Sequence, residues 1–241
     1  MANLMSSDAD RRLMTRSGEV ARATSERGEL VLRRRVDDAL ELRVNGVFVM
    51  DTAHTSSERL LARTALANIR ESGPLRLADS LTVLIGGLGL GYTLQEVLAD
   101  ARVRSVIVAE IEPTLVEWHR HGLIPETRTV CADARVNMRI GDVRAVAGQL
   151  EADSCDLILL DVDNGPGFLV YDENAAIYRR SFLGECRRLI RPGGVTAIWS
   201  ADASPDLAGA IVDVFGDCSE TAVPVTLGHR DTTYHVFAAR W

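Results

Sequence analysis

The sequence predicts an α/β chain: a mostly parallel seven-stranded sheet covered by helices and closed by an antiparallel hairpin, after a small N-terminal β element. Three observations carry this. Short runs that are apolar throughout alternate with helical periodicity from residue 81 to residue 214, as strands buried on both faces do. A glycine-rich turn, Gly86-Gly-Leu-Gly-Leu-Gly91, joins the first such run to the first helix. The last two strand-like runs, 221–226 and 233–239, lie too close for a crossover helix and must pair antiparallel.

Taken in order, residues 1–28 are polar and read as a tail. Leu30-Val-Leu-Arg33 and Leu40-Glu-Leu-Arg-Val44 alternate with period two, Asn45-Gly46 signals a tight turn, and Val47-Phe-Val-Met50 supplies the returning strand. Residues 29–55 thus form the small β element and 56–241 the main domain. Residues 56–71 fit an amphipathic helix with Ser57 as N-cap and Leu60, Leu61, Ala65, Leu66 and Ile69 on one face, stopping near Gly73-Pro74. Strands follow at 81–85, 105–109, 127–131, 157–160 and 195–199, with helices at 92–101, 113–121, 143–149, 174–190 and 205–214.

Bulk composition narrows the function classes. At 241 residues, 46% hydrophobic and 25% charged, the chain can bury a real core. A net charge of -7 without a basic stripe excludes nucleic acid as the main partner and suits a small cationic substrate. Cys131, Cys155, Cys186 and Cys218 show no C-x-x-C spacing and read as reduced cysteines. No apolar stretch approaches the ~18 residues of a membrane span, and residues 1–10 lack the apolar core of a secretory signal. Cytoplasmic localisation is expected. His119 and His121, two apart on a helix, point to different faces and make no metal pair, so no metal is expected.

In open α/β sheets ligands sit beyond the carboxyl ends of the strands. Those positions hold the glycines, then Glu110-Ile-Glu112, then Asp133-Ala134, then Asp161-Val-Asp-Asn-Gly-Pro-Gly167. A carboxylate about 20 residues beyond the glycine loop suits the two hydroxyls of a ribose; Glu110 takes that place, with Glu112 as a helix-start residue. Asp133 could accept from an exocyclic amine. The pattern is that of an adenosine site. A dinucleotide fingerprint needs a small third residue, whereas this spacing offers Tyr92 or Leu94, and the terminal hairpin also departs from that architecture. Both points favour S-adenosylmethionine (SAM).

These motifs make the chain resemble the spermidine synthase-like branch of the Rossmann-like, class I SAM-dependent methyltransferase fold over roughly residues 29–200. Gly86-Gly-Leu-Gly-Leu-Gly91 stands for its G-G-G-D-G-G loop, Glu110-Ile-Glu112 for E-I-D, and Asp133-Ala134 for G-D-A. Asp161-Val-Asp-Asn-Gly-Pro-Gly167 stands for D-S-x-D-P-x-G and Leu189-Ile-Arg-Pro-Gly-Gly194 for L-x-P-G-G. The resemblance implies that Gly86, Gly87, Gly89 and Gly91 cradle the cofactor, Glu110 holds its ribose, Asp133 with Ala134 its adenine, and Asp161 faces the acceptor nucleophile. It also implies a homo-oligomer, commonly a dimer.

Two departures set the expected chemistry. Gly89 stands where the family's loop carries an Asp against the cationic tail of decarboxylated SAM, and Asn164 replaces the second Asp of the acceptor site. The family's Gln and Tyr-His-Glu stretch also lack equivalents in 47–61. Expected, therefore, is intact SAM and methyl transfer to a small-molecule acceptor, an amine, with Asp161 as base and Asp163 orienting. Asn164, Tyr171 and Tyr178 would line the acceptor pocket. The alternative is a polyamine aminopropyltransferase using decarboxylated SAM and releasing methylthioadenosine. A third reading is a non-catalytic adenosine-ligand-binding protein.

Overall fold

The computed structural model describes residues 17–69, 80–227 and 230–241. The chain divides after His54 into two compact units.

The first unit is an antiparallel meander of β1 (Gly18–Ser25), β2 (Gly28–Arg34), β3 (Leu40–Val44) and β4 (Val47–Asp51). Strand β1 falls inside the stretch read as a tail. Its residues are half-buried at most, so no apolar period marks it. Ladder bonds to β2 and the pairing of Arg22 with Glu19 and Glu29 hold it instead. The β3–β4 turn needs positive φ at both central residues, and Asn45 (52°) and Gly46 (78°) supply it.

The second unit contains α1 (Ser56–Asn68), β5 (Leu81–Gly86), α2 (Tyr92–Ala99), β6 (Val103–Glu110), α3 (Pro113–Arg120), β7 (Val136–Ile140) and α4 (Val143–Ala147). There follow β8 (Cys155–Leu160), α5 (Arg180–Leu189), β9 (Ile190–Ser200), α6 (Pro205–Phe215), β10 (Ser219–Leu227) and β11 (Arg230–Arg240). The seven strands are ordered β10-β11-β9-β8-β5-β6-β7, parallel from β7 to β9, with β11 and β10 antiparallel. Alternate residues of each strand face opposite layers, as the two-residue period requires. Val83, Ile85, Val106, Val108, Leu157 and Leu159 pack with Leu61 and Ala65 of α1, Leu94 and Val97 of α2 and Val116 of α3. Leu84, Ala109, Ile158 and Leu160 pack with Val143 of α4, Leu183 and Cys186 of α5 and Leu207 and Ile211 of α6. Chain order reverses between β5 and β8, the position at whose carboxyl ends open α/β sheets bind ligands.

Several expectations need correction. The third parallel strand is Val136–Ile140; residues 127–131 instead coil through the short 3-10 turns Pro125–Thr127 and Val130–Ala132. The helix expected over 174–190 is the 3-10 stretch Asp172–Tyr178 followed by α5. Thr55, not Ser57, precedes α1; the Ser57 hydroxyl donates to Glu58 Oε2 at 2.7 Å within the first turn. The expected stop at Gly73-Pro74 lies outside the described residues. Among the described residues no helix is long and apolar enough to cross a membrane.

Candidate active site

The glycine loop leaves β5 and enters α2 through positive φ at Gly87 (89°), Gly89 (50°) and Gly91 (86°). At Gly87 the requirement is also steric: a Cβ there would lie 2.1 Å from the backbone oxygen of Asp161. The loop is pinned from behind. His119 of α3 is fully buried and directs Nε2 at the Gly89 carbonyl, 2.9 Å away. The Thr127 hydroxyl donates to the Leu90 carbonyl at 2.6 Å. Burial lowers the His119 pKa, so the ring is neutral with its proton on Nε2, where the carbonyl accepts it. Nothing in the sequence pattern singled out His119 for this; its partners are backbone carbonyls brought in by the fold.

Glu110 ends β6 and is buried. Its Oε2 accepts from Leu88 N and its Oε1 from Glu112 N, both at 2.8 Å, and burial raises its pKa. Glu112 stands at the helix start as expected, yet its side chain caps nothing. Its Oε1 accepts from the Tyr171 hydroxyl at 3.1 Å, while Oε2 is buried without a hydrogen-bond partner among the described residues. Glu112 is thus a buried, half-satisfied carboxylate beside Glu110, a feature its position at a helix start does not reveal.

Asp133 and Ala134 do not join the site. They precede β7, at its amino end, where Asp133 forms a two-point pair with Arg135 (2.9 and 2.8 Å) that holds its pKa at about 2. Arg135 also reaches the Val103 carbonyl at the start of β6. The carboxyl end of β7 instead carries Gly141 and Asp142. Asp142 caps α4 through Arg144 N (2.7 Å) and pairs with the Arg144 guanidinium.

Asp161 follows β8, half-buried, and its backbone N–H donates to the Gly86 carbonyl at 2.9 Å. The Thr93 hydroxyl donates to its Oδ2 at 2.5 Å, and burial pushes its pKa up to about 6. Asp163 takes positive φ (64°) and is engaged within its own segment. Its oxygens accept from Asn164 N (2.9 Å), Val170 N (2.6 Å), Tyr171 N (3.4 Å) and Asn174 Nδ2 (2.9 Å), so it organises the segment after β8. Asn164 joins that network through its backbone, its carbonyl accepting from Ala201 N at 3.1 Å. Tyr178 is buried, with its hydroxyl donated to the Val162 carbonyl at 2.5 Å, so it packs the segment and does not present a phenol to a ligand. Tyr171 turns toward Glu112.

The carboxyl edge of β5, β6, β7 and β8 thus gathers bare main chain with Glu110, Glu112, Asp142 and Asp161. Arg144 neutralises Asp142, but Glu110, Glu112, Asp161 and Asp163 form no ion pair with the described residues. Such an edge favours a cationic ligand.

The spermine/spermidine synthase domain matches residues 72–212, more than half of the chain. The chain belongs to this family. It is 35% identical over 128 residues to polyamine aminopropyltransferase 2 of Pseudomonas aeruginosa (51% of this chain, 34% of the relative). It is 28% identical over 144 residues to the polyamine aminopropyltransferase of Nitrosomonas europaea (57% and 42%). The spermidine synthase of Thermotoga maritima superposes with a TM-score of 0.75 at 17% identity, covering 92% of this chain and 71% of that one, which shows the fold. The chain spans between a third and a half of the length of the two curated relatives. These likenesses overturn the expectation of methyl transfer, since the family is named for spermine and spermidine synthesis and both relatives for aminopropyl transfer. The expectation gave too much weight to two single positions, Gly89 and Asn164. The Gly89 carbonyl is tied back to His119, and the anionic character of the edge comes from carboxylates on other strands.

Proposed function

We propose that this chain transfers an aminopropyl group from decarboxylated SAM to a small amine, a polyamine precursor. The observation that carries the reading is the set of carboxylates without ion-pair partners among the described residues at the edge of β5, β6 and β8, beside main chain that only glycine can form. Decarboxylated SAM bears a sulfonium and an ammonium and no carboxylate, so every charge it brings suits that edge.

The residues fit the donor. The loop through Gly86, Gly87, Gly89 and Gly91 turns tightly enough to leave its outer main chain facing the donor: positive φ at Gly87, Gly89 and Gly91 makes the turn, and a Cβ at Gly87 or Gly91 would strike Asp161 or His119. Glu110 and the unsatisfied oxygen of Glu112 are assigned to the sugar hydroxyls, and Asp142, in place of Asp133, to the adenine amine. The donor supplies a carbon activated by the sulfonium; the C–S bond breaks as the C–N bond forms, and sulfur keeps the electron pair. An amine attacks only after losing a proton, and free amines titrate near ~10.4. Asp161, ionised above about pH 6, takes that proton and passes it to water. Four unpaired cysteines suit a reducing compartment such as the cytoplasm.

The test incubates the purified chain with putrescine or another diamine and either SAM or decarboxylated SAM, and identifies the nucleoside product. Methylthioadenosine from the decarboxylated donor is the expected result. S-Adenosylhomocysteine from SAM, or no product from either, would sink the reading.

A further inference from the structure

Thr93 belongs to no motif, yet it sits where three elements meet. It occupies the first turn of α2, directly after the glycine loop, and is 2% exposed. Its hydroxyl lies 2.5 Å from Asp161 Oδ2 and 3.3 Å from the Glu58 carbonyl of α1. One hydroxyl has one proton, and the shorter contact to a carboxylate takes it, because hydrogen bonds to charged acceptors are the shorter and stronger ones. The Glu58 carbonyl then lies beside the hydroxyl without receiving its proton. Asp161 Oδ1 accepts no hydrogen bond from the described residues, and the residue keeps an opening to solvent.

We propose that Thr93 is the positioning residue of Asp161: it fixes Oδ2 and leaves Oδ1 as the atom that receives the proton of the acceptor amine. The inference rests on the reading of Asp161 as the base. It explains how a carboxylate on a loop next to glycines keeps one orientation without an arginine. It also gives the hydroxyl a part in setting the proton affinity of the base, since a bond to the charged form favours that form. The other titratable groups around Asp161 are Tyr178 and, beyond it, Asp163, both from the segment after β8, and Glu58 of α1, whose carboxylate is held by Ser57. The β5–α2 loop presents main chain at Gly87.

The experiment titrates the full chain labelled with ¹³C at the aspartate carboxyl, the Asp161 signal being assigned by its loss in Asp161→Asn. The wild type is expected to titrate at about 6. Thr93→Val should raise that midpoint by roughly one unit, and Thr93→Ser, which keeps the hydroxyl, should leave it in place. In assays of aminopropyl transfer, Thr93→Val should carry the acid limb of kcat/KM upward by the same amount. It should lower kcat at pH 7.5 roughly tenfold with little change in the donor KM. Thr93→Ala serves if the valine variant does not fold. An unmoved titration in a folded, hydroxyl-free variant overturns the assignment while leaving the proposed function intact. A shifted titration in a chain that transfers no aminopropyl group overturns the base role and the proposed function together.

Discussion

At the scale of single residues, Asp161 shows how function and stability oppose each other. A half-buried carboxylate whose pKa is raised to about 6 from 3.8 binds a proton more tightly folded than unfolded. The sign follows: its penalty is absent below about pH 4, grows as pH rises through 6, and is on the order of 3 kcal/mol at pH 7. Asp161→Asn keeps an acceptor for Thr93 and removes the charge. We therefore expect this variant to lose kcat by roughly 10²- to 10⁴-fold and yet to melt at a higher temperature at pH 7.5, the gap closing toward pH 4. Calorimetry across that range checks it; a variant less stable than wild type at pH 7.5 refutes the account. Asp161 was legible in the sequence because it directly follows the apolar run 157–160 of β8. Asp163, two residues on, has the same chemistry and a different task, and only its four hydrogen-bond donors within the same segment reveal it.

At the scale of elements, what could be read followed from burial. Strands β5, β8 and the core of β6 and β9 are covered on both faces and appear as apolar runs. Strand β7 is at the sheet edge, with the sequence Val-Asn-Met-Arg-Ile and no fully buried residue, so nothing in its pattern marks it. The nearby Thr-Arg-Thr-Val-Cys, with more β-branched residues, imitates a strand better and coils instead. That misplacement put the carboxylate expected beyond the third parallel strand at Asp133, whereas the residue beyond the carboxyl end of β7 is Asp142. A paired substitution separates the two positions. Asp142→Ala should weaken binding of methylthioadenosine roughly tenfold, the loss of a hydrogen bond to a charged acceptor, and Asp133→Ala should leave it unchanged. Isothermal titration reads both; equal effects would return the site to the amino end of β7.

At the scale of the whole molecule, the distribution of charge says more than its sum. All 27 basic residues are arginine, and many lie beside an acid of their own neighbourhood: Arg102 with Asp100, Arg135 with Asp133, Arg144 with Asp142, Arg188 with Glu185. Pairs of this kind cancel locally and contribute little field at a distance. Among the described residues Glu110, Glu112, Asp161 and Asp163 stand outside this cancellation, so part of the net -7 is concentrated at one edge of the sheet, beside the point where chain order reverses. A concave, partly desolvated patch of one sign draws in cations, and salt screens that attraction over a Debye length of about 8 Å at physiological ionic strength. The kcat/KM for the dicationic donor should therefore fall several-fold, roughly three- to tenfold, between low and ~0.3 M salt. The dissociation constant of methylthioadenosine, the same nucleoside without charge, should stay nearly constant over that range. A steady-state series with sodium chloride measures the first quantity and titration calorimetry the second. Parallel salt dependence of the two would mean that the edge carboxylates are neutral or turned away, and that charge does not select the donor.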